Sequence, residues 1–243
     1  MSHDAPPEEG GRPEPDLRPR RHEPAFNLPT ALTGLLGVLV AIHLVRAYLL
    51  TPDQDGYVLF EFAFTPARYA FPLAEQSLAW LWTPVTYSFL HGGFEHLIFN
   101  AFWMAAFGAP VVRRIGPGRF AAFWCLSSAA AVGFHTLFHW ADFGIVVGAS
   151  GAVAGLMGAA ARFVFAPHGG VDRRLAHLNR RLSLSECLAN RSVLVFSGLW
   201  FATNIFIGLG LFSVAGTAPV AWEAHIGGFL FGFLLFALFD PRR

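Results

Sequence analysis

Lysine is absent from this 243-residue chain, and all 17 basic residues are arginine. That absence removes serine–lysine dyads from the catalytic arrangements available to it. Charge of either sign is scarce, at 14% of residues, and the formal net charge is +1. Such a balance gives no basis for nucleic-acid binding, which draws on concentrated positive charge. Only two cysteines occur. Cys125 lies in an apolar run and Cys187 in an Arg-rich loop, so both read as structural, with neither a disulfide nor a zinc site expected. No H-E-x-x-H string is present; the nearest, His91 to Glu95-His96, has the wrong spacing for a zinc protease. No Asp lies deep in any apolar run, which excludes an intramembrane aspartyl pair. No metal and no cofactor are expected. Residues 1–27 lack the apolar core of a signal peptide; rich in Pro, Glu and Arg, they read as a disordered tail.

What remains is strongly apolar. Hydrophobic residues make up 54% of the chain, 26 of them Phe, and the mean hydropathy is +0.48. Six apolar runs approach the roughly 20 residues needed to cross a hydrocarbon core of about 30 Å: 28–50, 90–111, 118–140, 144–165, 192–210 and 219–239. Backbone polar groups in lipid must be satisfied internally, so each run is expected to be a helix. The fold class that follows is an all-α membrane protein, with a six-helix membrane domain over residues 28–240.

The arginines orient these spans. Arg12, Arg18, Arg20 and Arg21 precede the first; Arg113 and Arg114 follow the second, with Arg119 beyond. Arg173, Arg174, Arg180, Arg181 and Arg191 lie between the fourth and fifth, and Arg242 and Arg243 end the chain. The alternate loops carry only Arg68. The positive-inside rule then puts both termini in the cytoplasm, with the protein multi-pass in the cell (inner) membrane. The long outer loop, residues 51–89, is rich in Phe and Trp and is expected on or partly in the outer leaflet. The loop between spans 4 and 5 reads equally as a short interfacial helix or as a solvated loop.

Polar side chains inside spans are expensive and mark candidate sites. Span 2 carries His91, Glu95, His96 and Asn100; span 4 carries Ser150; span 6 carries Glu223 and His225. Spans 2, 4 and 6 all run inward. His96, Ser150 and His225 each fall about six residues into their span, so all three are expected on the order of 10 Å below the outer surface. Ser150 lies between Gly148 and Gly151, near a helix N-terminus that favours developing negative charge. Gly228 and Gly232 in span 6, with Gly151 and Gly155 in span 4, form small-residue stripes that let two helices approach closely. Close approach would let His225 act as base to a serine that is otherwise a weak nucleophile. His96 and Asn100, four apart on one helix face, are donors suited to an oxyanion hole, with His91 in support. Each feature alone is also open to a plain structural reading as polar contacts between helices. Glu95 and Glu223 read as interfacial or solvated carboxylates that point away from their neighbouring histidines. His43, Arg46, His135 and His139 have no evident partners and read as structural.

Together these residues resemble the rhomboid family of intramembrane proteases. The motifs are His91-x4-His96-x3-Asn100, Gly148-x-Ser150-Gly151 and Ala224-His225-x2-Gly228-x3-Gly232, with Phe107-Gly108 through Arg114, Gly116 and Phe120 resembling the family's link between spans 2 and 3. The resemblance covers residues 82–239. It implies Ser150 as nucleophile, His225 as general base without a third acid, and His96, Asn100 and the Ser150 N–H as oxyanion donors, with His91 nearby. It implies single-span membrane proteins as substrates, and the lipid bilayer as the medium. Two features depart from the family pattern: the first outer loop has no Trp-Arg pair, and Ala154 stands where many members carry an aromatic that packs on the histidine. The rival reading is a non-catalytic relative that binds and escorts client helices without needing Ser150 or His225.

Overall fold

The computed structural model describes residues 28–166, 173–211 and 220–241. The expected tail, with its arginines, and Arg242 and Arg243 lie outside them. The described residues are predominantly helical, and their only β pairing is an isolated antiparallel bridge between Phe64 and Val146. The helices are α1 (Thr30–Tyr48), α2 (Pro52–Phe62), α3 (Ala79–Thr86), α4 (Phe94–Trp103), α5 (Ala109–Thr136), α6 (Ser150–Ala161), α7 (Leu184–Ala189), α8 (Arg191–Gly208) and α9 (Trp222–Leu235).

Of these, α1 and α8 are each long and apolar enough to cross a membrane, while α6 and the run from Trp222 to Leu238 are apolar but shorter. The second and third expected spans form one nearly continuous run, because α4 passes through a π-helical turn, Met104–Gly108, into α5. The break falls at Gly116, with φ 79° and ψ 167°. Pro117 forces the residue before it out of the helical region, and only glycine adopts that positive φ without strain. Span 4 is also shorter than its apolar run: residues 144–149 enter without helix, and the helix begins at Ser150 itself. Ser150 therefore opens its helix instead of lying one and a half turns inside it.

Helix α6 is the centre of the molecule, and every residue from Gly151 to Ala161 is buried. Its sequence, SGAVAGLMGAAA, has too little side-chain bulk to hold neighbours away. A Cβ on Gly228 would run into the carbonyl of Gly151, and one on Gly232 into that of Gly155. The glycine stripes thus bring the α6 and α9 backbones together, as close packing of membrane helices requires. On α5, Ser127 occupies the space that a Cβ on Gly155 would need.

The outside of the bundle is apolar. Ile98, Phe99 and Phe102 of α4, Leu199 of α8 and Val38 and Val45 of α1 are exposed. A water-facing surface of this kind would be costly, whereas in lipid it is the natural solvent face.

Arg114 is not a solvated loop cation, as the charge pattern suggests, but is buried. It donates to Asp240 Oδ2 at 2.9 Å and to the carbonyl of His177 at 3.1 Å, and its guanidinium lies 4.7 Å from the centroid of the Phe163 ring. Arg162, just past α6, is buried on the carbonyls of Leu182 and Phe233. The loop after α6 contains a short helix, α7, opened by a reciprocal capping box between Ser183 and Glu186; residues 167–172 lie outside the described residues.

The long loop after α1 is ordered by its own polar contacts. Arg46 of α1 pairs with Asp55 of α2 at 2.7 Å and donates to the carbonyl of His91 at 3.0 Å. Arg68 is buried on the carbonyl of Phe60 at 2.7 Å, and Trp82 donates to the carbonyl of Glu61 at 2.8 Å. Tyr57, Phe60, Phe71, Leu78 and Leu81 remain exposed around this frame.

Candidate active site

The non-helical run into Ser150 is held at every step. Phe64 and Val146 exchange backbone hydrogen bonds at 3.1 and 2.7 Å; the Gly148 N–H donates to the carbonyl of Tyr87 at 3.0 Å; the Ala149 N–H faces His91 Nε2 at 3.4 Å. Gly148 takes φ 124°, and a Cβ there would lie 2.6 Å from the His96 ring. Two demands therefore meet at one residue, a positive φ and an imidazole packed against the α-carbon, and glycine satisfies both. The same hypothetical Cβ would be 3.7 Å from Ser150 Oγ, so His96 and the hydroxyl flank one small space.

Ser150 Oγ and His225 Nε2 are 2.8 Å apart. Both residues are half-buried, neither sealed in the core nor fully open. The other ring nitrogen, His225 Nδ1, lies 2.7 Å from Asn204 Oδ1 on α8. The Asn204 amide N–H donates to the carbonyl of Trp200 at 2.9 Å. That bond fixes the amide with its oxygen toward the ring, so Nδ1 carries the proton and Nε2 is left to accept from the serine hydroxyl. Asn204 is not singled out by the sequence reading, although it is buried within an apolar span. The signal that marks it is an amide in a membrane helix, the same signal that marks Asn100.

Ala154 lies among Met157, Phe229 and the aromatics of α8, where Trp200 stacks on Phe229 at 4.5 Å. Here the imidazole has a hydrogen-bond partner from α8, while the position four residues after the serine on α6 stays small.

The other expected donors are close by. His91, fully buried before the start of α4, makes an edge contact with His96 at 5.1 Å between centroids. Asn100 is buried and donates one amide hydrogen to the carbonyl of His96 at 3.0 Å, leaving its second amide hydrogen for another acceptor. Ser150 is the first residue of α6, so its own N–H has no partner within that helix. Glu95 is exposed, as expected. Glu223 is not: it is buried and holds His135 and His139, at 3.3 and 3.0 Å, two of the three histidines for which the sequence offers no partner. Its carboxylate points away from His225, as helical geometry requires of a residue two positions earlier.

A family model described as the rhomboid domain matches residues 79–242. The chain belongs to the rhomboid family. Among its relatives, rhomboid protease GlpG of Yersinia pestis (strain Pestoides F) is 28% identical over 179 residues, covering 72% of this chain and 53% of that protein. Rhomboid protease GlpG of Serratia proteamaculans (strain 568) is 30% identical over 164 residues, covering 67% of this chain and 49% of that protein. This rhomboid chain thus spans about half the length of the curated relatives it matches. The matched region runs from the first residue of α3 through α9, and contains the contact between Ser150 and His225.

Proposed function

We propose that this rhomboid is an intramembrane serine endopeptidase that cleaves single-span membrane proteins through Ser150 and His225. The observation that carries the reading is the 2.8 Å approach of Ser150 Oγ to His225 Nε2, within the reach a general base needs. In the reaction, His225 takes the hydroxyl proton and Ser150 attacks the scissile carbonyl. Asn204 holds the imidazole in the tautomer that can accept, and stabilises the ring once it is charged. The oxyanion is received by the Ser150 N–H, His96 and Asn100, with His91 supporting the His96 ring. The His225 proton passes to the leaving amine, and water then clears the acyl-enzyme.

In the membrane, the second and third crossings of the proposed six would come from the continuous α4–α5 run, divided at Gly116. The arginine pattern favours cytoplasmic termini in the cell inner membrane. The substrate segment would enter from the side and open its helix before cleavage.

A fluorophosphonate probe tests the nucleophile directly. Labelling of the wild-type chain at Ser150, lost in Ser150→Ala along with cleavage of a model transmembrane substrate, is the expected result. A wild-type chain that takes no label, or a Ser150→Ala chain that still cleaves, overturns the reading; the former result would favour the escort role. Removing one oxyanion donor, as in His96→Ala, should lower the rate on the order of 100-fold or more.

A further inference from the structure

The buried carboxylate of Glu223 meets two imidazoles, one from the last turn of α5 and one from the turn that follows it. His135 lies at the end of α5, His139 four residues later, and Glu223 on the first turn of α9. His135 Nδ1 is 3.3 Å from Glu223 Oε2 and His139 Nε2 is 3.0 Å from Oε1. The two rings stack at 4.2 Å between centroids, and one ligand atom from each of the three residues falls within 4.8 Å of the others. An ion bound at 2.0–2.1 Å in tetrahedral geometry spaces its ligand atoms about 3.3 Å apart; each imidazole already lies near that distance from one carboxylate oxygen, and the three ligand atoms have to draw in only from within 4.8 Å.

A second observation concerns the opposite side of the His139 ring. Its Nδ1 faces Asp142 Oδ2 at 3.6 Å. A neutral imidazole has one N–H, so it cannot donate both to Glu223 through Nε2 and toward Asp142 through Nδ1. A second proton on the ring would serve both carboxylates, and so would a cation on Nε2, with the remaining proton on Nδ1 directed at Asp142 as in the carboxylate–histidine–metal relay that orients ligand imidazoles. The site is also open on one side, since His139 and Asp142 side chains are 34% and 54% exposed. An ion can enter there, and water can complete its coordination.

We propose that His135, His139 and Glu223 bind a divalent transition-metal ion of the Zn2+ type, with Asp142 orienting His139. Two imidazoles and a carboxylate suit such ions better than they suit Mg2+ or Ca2+, which prefer all-oxygen shells. The ion joins the end of α5 to the start of α9, two residues before His225. The sequence does not reveal the site because Glu223 lies 84 residues beyond His139. The proposal is independent of proteolysis, so the Ser150→Ala chain serves as its host.

The full chain, purified in detergent and stripped with a chelator, is titrated with Zn2+ against a chromogenic competitor. One ion per chain is expected, with a d–d spectrum of low coordination number when Co2+ replaces Zn2+. His139→Ala and Glu223→Gln should each weaken binding at least 100-fold, and Asp142→Asn about 10- to 100-fold. His139 is part exposed and Glu223→Gln preserves shape, so at least one of these variants should keep the helical circular dichroism of the parent. No binding by the parent, or equal binding by a folded His139→Ala or Glu223→Gln chain, overturns the proposal and leaves a proton-bridged cluster.

Discussion

Asn204 gives His225 a defined direction. With its amide hydrogen committed to Trp200 and its oxygen to His225 Nδ1, it holds the ring as the third acid of a Ser-His-Asp triad holds its histidine, without adding a charge. Asn204→Leu removes the acceptor but keeps the bulk. Turnover of a transmembrane substrate should fall about 10- to 100-fold, since small errors in orientation are costly, while KM changes little; unchanged kcat would argue against a positioning role. Ser150 and His225 were legible in the sequence because each is a polar residue in an apolar run with glycines within three residues, Gly148 and Gly151 for the one and Gly227 and Gly228 for the other. Asn204 and the Glu223 cluster were not. Their meaning depends on which side chain from a distant helix faces them, and no local spacing encodes that.

Helix α9 depends on having nothing where side chains normally stand. Gly228→Val would drive a branched side chain into the Gly151 carbonyl, one residue from the proposed nucleophile. Overpacking typically costs 1–3 kcal/mol, and here the obstacle is backbone, so a lower thermal midpoint and loss of probe labelling at Ser150 are expected together. Gly34→Ala, inside α1 where a Cβ meets nothing within 4 Å, is the control and should not lower the midpoint. The glycine spacing predicted this contact; the helix boundaries were less readable. Apolar content continues upstream of Ser150, but Gly148 breaks the helical path, so hydropathy overstates the length of α6. Helix α7 is held differently. The Arg180 side chain, together with the Ser183 backbone, holds the Glu186 carboxyl down to about 2 from an ordinary 4.5. A depressed carboxyl contributes fully above its unfolded value and loses that contribution as pH falls through the folded one. The cap of α7 should therefore persist at pH 4 and fray toward pH 2. A Glu186 side-chain carbon titrating near 4.5 would refute this.

Across the molecule, buried charge sits near both ends of α5, at Arg114 on one side and at the Glu223 cluster on the other. Arg114 and Asp240 are 126 residues apart in sequence and almost fully enclosed, and they clamp the segment after α9 to the α4–α5 run just before its break at Gly116. Arg114→Ala takes from the buried Asp240 carboxylate its partner at 2.9 Å and leaves Arg181 at 3.3 Å. A loss of about 3–5 kcal/mol is expected, read as a lower unfolding midpoint in detergent. Arg114→Met combined with Asp240→Leu should recover most of it. The alternation of arginines suggested an orientation but treated Arg114 as a surface marker, because a charge pattern cannot distinguish a cation facing water from one that has found a carbonyl and a carboxylate inside.

The enclosure of α6 has a mechanical consequence. Twelve residues of helix span about 18 Å, short of the hydrocarbon thickness, and Gly151 to Ala161 are walled off by protein. Stretching or thinning of the surrounding lipid acts on the perimeter helices. The element that bears the hydroxyl feels such deformation only as its neighbours lean, like a bearing suspended inside a flexible housing.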